Sequence, residues 1–383
     1  MPDYKKKIIR FIKNLTQEIR YTDNFNRSEL LLDYKSLINK PENISLITEN
    51  VCNGTFTGQY LDLNEVDKKF VNYLKDSLTF MEEIKKNQKL PKSLDYNKNS
   101  MWTKMESNFL NNILNSDDRL FNHVGSLSYK TFLPINYDFK SSLRDVFFTL
   151  TNYNYLKNND KNFDALYTDL NSPFFTFDNL KLNSNIYYID IFNKIRNILN
   201  KLQKENNNNI KILEIGPGKG QLANIIFNNI DNVKYVLMDI PPMHSIAPYF
   251  LHNNGKKICS YKHFCSLDKS IDEAFKNFDV LLLPPYEKEI LSNYNFDISI
   301  NCRSLCEMEF EEAKKYVNLI DNNSKYFFSI NTKEKSPSKE WEKFGILDLE
   351  KYFKNMSLTD TGYTFGDSIM LKNPHFIYSI FMK

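Results

Sequence analysis

Three glycines at alternate positions, Gly216, Gly218 and Gly220, follow the apolar run 210–215 and precede a helix-forming stretch carrying Leu222, Ile225 and Ile226. Glycine allows tight turning and close approach, so a ligand can lie against such a loop's main chain. The helix that follows offers unpaired N–H groups at its start. The third glycine decides between ligand classes. A dinucleotide fingerprint spaces its last two glycines by two residues and seats a pyrophosphate on the helix N-terminus. Here one residue separates Gly218 from Gly220 and Gln221 follows, a GxGxG spacing that favours a ligand without a pyrophosphate. Two acids flank the loop. Glu214 lies just before it, and Asp239 ends the run Tyr235–Asp239, 19 positions after Gly220. A carboxylate at the end of a second strand is well placed to accept two hydrogen bonds from ribose hydroxyls. A further polar segment, Asn301-Cys302-Arg303-Ser304-Leu305-Cys306-Glu307-Met308, follows the strand-like run 297–301.

The elements that must hold these residues are legible from periodicity. Runs 210–215, 234–239, 279–283, 297–301 and 326–330 are strand-like, and their spacing suits crossover helices and a parallel α/β sheet. Asp279 and Asp297 stand in similar contexts, Phe-Asp-Val and Phe-Asp-Ile, which read as two helix-to-strand entries. The tail pattern, 368–371 and 376–382 around Pro374, predicts a final hairpin-like pair. Upstream, helical spacing dominates. Ile8, Ile12, Leu15 and Ile19 form one stripe, and Trp102, Met105, Phe109 and Ile113 another. Asn64 is expected to cap a helix bearing Val66, Phe70, Leu74, Leu78 and Met81. Residues 186–204 form one more amphipathic helix, ending in the Asn206–Asn209 run. The chain thus divides into a mostly helical segment, 1–180, and an α/β segment, 181–383, consistent with a length too great for most single cores.

Composition narrows the function. A net charge of +3 with interspersed Lys and Asp/Glu lacks the basic stripe of a nucleic-acid binder, and the run Lys5-Lys6-Lys7 reads as a solvated face. No stretch approaches a membrane span. The five cysteines form no CxxC pair and no His/Asp/Glu set shows metal-ligand spacing, so neither a disulfide framework nor a metal is expected. Reduced thiols and the absence of a signal peptide point to the cytoplasm.

The acidic-x-GxGxG arrangement of Glu214, Gly216, Gly218 and Gly220, with Asp239, resembles the class I S-adenosylmethionine-dependent methyltransferases. The resemblance implies a Rossmann-like sheet, mainly parallel with an antiparallel last strand. It also implies S-adenosyl-L-methionine as cofactor, with Glu214 and the glycine backbone around its methionine part and ribose, and Asp239 on the ribose diol. A narrower similarity, to bacterial putative sugar O-methyltransferases, rests on ILEIGPGKGQLA, Met238-Asp-Ile-Pro-Pro242 and the Asn301–Met308 segment. It implies methyl transfer to a sugar hydroxyl of a glycan or nucleotide-linked precursor, in polysaccharide or glycoconjugate modification.

On that reading Asn301 holds cofactor, while Arg303, Ser304 and Glu307 face the methyl group. Glu307 is the first candidate for base or acceptor-orienting group, its alternative being a carboxylate that offsets a helix dipole. Arg303 suits an acidic or phosphorylated acceptor, or a surface ion pair. Ser304 and Asn301 could instead cap the next helix. Residues 1–180 are the expected acceptor cover. Other acceptors (a phosphorylated small molecule, a lipid, a protein side chain) and a non-catalytic binding module remain open, as does the oligomeric state. A nucleotide-dependent oxidoreductase is disfavoured by Gln221.

Overall fold

The computed structural model describes residues 67–87, 110, 113–115, 152–153, 156–168, 174–177, 180–183, 186–205, 209–333, 344–363 and 376–383. The expected N-terminal helix 4–20, the Trp102–Phe109 part of the second stripe and the tail run 368–371 fall outside them. The chain forms two compact units, residues 1–62, 134–191 and 363–374 in one, and residues 63–133, 192–362 and 375–383 in the other.

The first unit contains the short helix Phe163–Thr168 and an antiparallel pair, β1 (Phe174–Phe177) and β2 (Leu180–Asn183), in register from Phe174–Asn183 to Phe177–Leu180. Tyr153, Phe163 and Tyr167 cluster with ring centroids 5.0 to 5.3 Å apart. This hairpin was not anticipated in a segment expected to be mostly helical. Its four-residue runs are too short to show a period, and only the two-residue spacer Asp178-Asn179 hints at it.

The second unit is built on an eight-stranded sheet. Its strands are β3 (Ile210–Ile215), β4 (Val233–Met238), β5 (Ile258–Cys259), β6 (Val280–Leu283), β7 (Phe296–Cys302), β8 (Ser324–Thr332), β9 (Ser357–Tyr363) and β10 (Phe376–Met382), in the order β5-β6-β4-β3-β7-β8-β10-β9. The pairs from β5 to β8 are parallel, and β10 runs antiparallel to β8. The mixed, mainly parallel sheet expected from the sequence is therefore present. The last strand's partners are β8 and β9. Ile212, Leu213, Val236, Leu281, Ile298 and Phe327 are fully buried, as both-faced burial of a helix-covered parallel sheet requires.

The two aspartate-marked strand entries share one task. Asp297 accepts the Lys211 N–H at 2.9 Å, and Asp279 the Lys257 N–H at 3.1 Å. Each carboxylate thus satisfies a backbone donor at the amino edge of the neighbouring strand. The two-residue β5 is the sheet's edge, a place that unpaired backbone groups make sticky. Helix α1 (Lys68–Asn87), which lies within 1–180 in sequence but in the sheet's compact unit, covers it. The Tyr73 hydroxyl donates to the Ile258 carbonyl at 3.2 Å and accepts the Ser260 N–H at 2.8 Å. The helix buries Phe70, Leu74, Leu78 and Met81, and Asp67 caps it by accepting the Phe70 N–H at 3.0 Å. Asn64 and Val66 lie outside the described residues. Tyr73→Phe removes both hydrogen bonds and strands two edge groups, an expected loss of about 1–2 kcal/mol, read as a fall of a few degrees in thermal midpoint.

Candidate functional site

Strands β3, β4 and β7 bring the glycine loop, Asp239 and the Asn301–Glu307 segment to one edge of the sheet, because parallel neighbours end together. From β3 the chain passes first to β4 on one side and later to β7 on the other. The crevice at such a reversal is where open α/β sheets take their ligands.

All three glycines adopt left-handed backbone, with φ of 71° at Gly216, 56° at Gly218 and 70° at Gly220. Two have steric reasons as well. A Cβ on Gly216 would run into the Ser304 side chain, and one on Gly220 would sit 3.0 Å from the Ala247 Cβ. Gly220 caps helix α2 (Gln221–Asn229) without any side-chain hydrogen bond. The loop is tied across to the next strand: the Gly218 N–H donates to Asp239 Oδ2 at 3.1 Å, and the Ile240 N–H to Oδ1 at 2.8 Å. A carboxylate offers roughly four acceptor positions, so each oxygen keeps capacity for a further donor. A vicinal diol fits that vacancy. The Asp239 carboxyl is pushed up to about 7 by withdrawal from water, with the two N–H groups pulling it down and the Glu307 charge pushing it further up.

Glu214 is buried and accepts a hydrogen bond from the Tyr235 hydroxyl at 2.8 Å. Burial raises its pKa to about 7, against the pull of the Tyr235 hydrogen bond and with a further push from the Asp239 charge. The loop therefore sits beside two carboxyl groups that strongly favour a cationic neighbour when ionised.

The segment after β7 has a different character. Asn301 is fully buried. Its amide donates to the Ile215 carbonyl at 2.7 Å and to Ser304 Oγ, while its oxygen accepts the Leu305 N–H at 3.2 Å and the Asn331 amide at 2.8 Å. Ser304 Oγ in turn donates to the Ile215 carbonyl at 3.0 Å. These two residues, expected to hold ligand or cap a helix, brace the underside of the glycine loop. Cys306 joins the same network, its thiol reaching the Asn331 oxygen at 2.8 Å. Arg303 takes a left-handed φ of 71°, donates its N–H to the Ile330 carbonyl at 2.6 Å, and lays its guanidinium 4.4 Å from the Phe376 ring centroid. Glu307 ends a single 3-10 turn, Leu305–Glu307, half-buried and close enough to act on Asp239.

Asn331 escaped sequence reasoning because it lies inside an apolar strand with no motif to mark it. Tyr235 escaped as one aromatic of many. Among the described residues, no group of three His, Cys, Asp or Glu could hold a metal, and no helix is long and apolar enough to cross a membrane. Among the described residues, Cys259, Cys265, Cys302 and Cys306 form no disulfide.

No family model matches the chain, and no curated protein matches it either. Solved structures similar to it include magnesium protoporphyrin IX methyltransferase from Synechocystis PCC 6803 with bound SAH, at 14% identity over 60% of this chain and 97% of that one, TM-score 0.34. The mitomycin 7-O-methyltransferase MmcR is similar at 10% identity over 69% and 67% of the two chains, TM-score 0.32. The small RNA methyltransferase HEN1 is similar at 13% identity over 50% of this chain, TM-score 0.33, and the chain spans only 25% of its length.

Proposed function

We propose that this chain is an S-adenosylmethionine-dependent methyltransferase acting on a hydroxyl, with a sugar of a glycan or nucleotide-linked precursor as acceptor. The observation that carries the reading is the Gly218–Asp239 link at 3.1 Å, which joins a left-handed glycine loop to a strand-end carboxylate with spare acceptor capacity. A ribose diol suits Asp239, the loop backbone suits the methionine part, and Glu214 and Asp239 give the field that a sulfonium cation favours. S-adenosylmethionine, when bound, supplies an electrophilic methyl group.

The chain's own part is alignment and proton handling. Holding an acceptor oxygen in line with the methyl converts a bimolecular step into a positioned one. A sugar hydroxyl is a poor nucleophile at neutral pH and needs a group to take its proton. We assign that role to Glu307, the carboxylate at the end of the β7 exit. Arg303, with its planar fork, is assigned to an anionic part of the acceptor such as a nucleotide phosphate. The sugar acceptor rests on the resemblance carried by Met238–Pro242 and Asn301–Met308.

The test is direct. Methyl-labelled cofactor is incubated with the full chain and separate pools of nucleotide sugars, bacterial glycans, phosphorylated metabolites and lipids. Label in the sugar pools that is lost in Glu307→Gln, with cofactor affinity kept, supports the assignment. Label appearing only in another pool moves the acceptor, and failure to bind S-adenosylhomocysteine at all overturns the methyltransferase reading.

A further inference from the structure

His244 lies in the first turn of helix α3 (Met243–Asn253), five residues beyond Asp239, and its side chain is only 3% exposed. Its Nε2 lies 2.9 Å from the backbone oxygen of Asp239. A carbonyl can only accept, so Nε2 carries the ring proton. Burial lowers the pKa of the imidazole to about 4, although the carbonyls of Asp239 and Leu283 pull the other way, so near neutral pH the ring holds that single proton. Nδ1 is then a bare acceptor. It is buried and has no hydrogen-bond partner among the described residues. A phenyl ring would fill the same space without an unsatisfied acceptor, so the bare Nδ1 costs stability.

What the Nε2–H group holds explains that cost. Asp239 lies just past the end of β4, and its own N–H reaches the Leu283 carbonyl at 3.3 Å. The chain then turns through Pro241 and Pro242, which have no N–H to offer. The next three donors go elsewhere: Met243 to the Ile240 carbonyl, His244 to that of Pro241 and Ser245 to that of Pro242. The Asp239 carbonyl is left to the His244 ring. This peptide bears the carboxylate that binds Gly218 N–H.

We propose that His244 is a positioning residue for the ribose: by tying down the Asp239 carbonyl it fixes the aim of the Asp239 carboxylate at Gly218 and at the ligand diol. The inference rests on the reading of Asp239 as the ribose acceptor, and it assigns His244 no contact with ligand and no proton transfer.

The readout is hydroxyl discrimination. Calorimetry on the full chain compares S-adenosylhomocysteine with its 2′,3′-dideoxy analogue, alongside thermal midpoints. The wild type should prefer the hydroxylated ligand by at least tenfold. His244→Phe should keep or raise the midpoint, weaken S-adenosylhomocysteine by at least tenfold and bind the dideoxy analogue almost as the wild type does. His244→Gln, whose amide N–H reaches a similar place, should recover most of the preference. A loss shared equally by both ligands, or an unchanged preference in His244→Phe, overturns the proposal. If the phenylalanine variant does not fold, His244→Leu takes its place, and equal preference in the leucine and glutamine variants overturns it. A wild type that binds the hydroxylated ligand without preference refutes the ribose role of Asp239 and this proposal with it. A wild type that binds neither ligand removes the methyltransferase reading itself.

Discussion

Gly216→Val is expected to abolish measurable S-adenosylhomocysteine binding and to lower the thermal midpoint. Two costs coincide. The backbone there has φ of 71°, where a β-branched residue is a genuine outlier and an L-residue costs about 1–2 kcal/mol. The added Cβ would also stand 2.5 Å from the Ser304 Cβ and closer still to its hydroxyl. Ser304 cannot yield freely, because its hydroxyl is bonded to Asn301 and to the Ile215 carbonyl. Overpacking of this kind costs about 1–3 kcal/mol. If the fold absorbs it by lifting the loop, the cradle is lost instead. Gly255→Ala separates strain from clash: its φ is 77°, yet a Cβ there meets nothing within 4 Å. That variant should melt slightly earlier and bind normally. Calorimetry and thermal melts on both variants check the pair, and wild-type affinity in Gly216→Val would mean that the ligand does not lie on this loop.

Asp239→Ala should weaken S-adenosylhomocysteine binding by a hundredfold or more. Two hydrogen bonds from ribose hydroxyls to a carboxylate, each worth about 1.5–3 kcal/mol, set that scale. Calorimetric titration of both proteins measures it directly. The same residue makes binding depend on pH. In the ligand-free protein the Asp239 carboxyl is pushed up to about 7 by withdrawal from water, with Glu307 adding to the rise. Hydroxyl donors and a nearby cation favour the ionised form, so binding should release a proton. Affinity for S-adenosylmethionine should therefore climb from pH 6 toward pH 8 and then level. Asp239→Asn should flatten part of that climb. The Glu214 carboxyl, also at about 7, carries the remainder. Neighbouring groups do not interfere: His244 titrates at about 4, and burial pushes Tyr235 and Cys302 well above their usual values. Stability of the empty protein runs the opposite way. A carboxyl whose folded pKa exceeds its unfolded one contributes stability at acid pH, and this is lost as pH rises through about 7. Titration in two buffers of different ionisation enthalpy counts the protons, and pH-independent binding would contradict the assignment.

Much of the sheet is legible in the amino-acid sequence. The run 210–215 is a strand over its full length, and the other four expected strands lie within one or two residues of those found. Runs buried on both faces announce themselves as continuous apolar stretches. The hidden parts are of another kind. β5 has two residues and no period of its own, and it exists because Val280 and Leu281 pair with it and Tyr73 covers it. The GxGxG loop and its two acids could be read from spacing, since backbone conformation there demands particular residue types. What lies beneath the loop could not. Asn301 and Ser304 look in sequence like residues for a ligand or a helix cap. Asn301 does accept the Leu305 N–H, but their long-range hydrogen bonds run to Ile215 and Asn331, contacts that only the pairing of β3, β7 and β8 creates. The sequence places His244 just after the Asp239 strand, on the ribose side, but its proposed role arises only from the two prolines that leave a carbonyl without a donor.

The Asn301–Ser304–Asn331 network also bears on how freely such a protein can change its taste in substrates. On the proposed reading, the segment that would meet an acceptor is the one that props up the glycine loop. Arg303 and Glu307 alternate along it with the residues that brace Gly216. Selection for a new acceptor through this segment would disturb the grip on the cofactor, so the two affinities are mechanically coupled traits. Diversification should then favour changes at Arg303, Glu307 and segments remote from the brace, with Asn301 and Ser304 held fixed as the hinge pin between the two binding tasks.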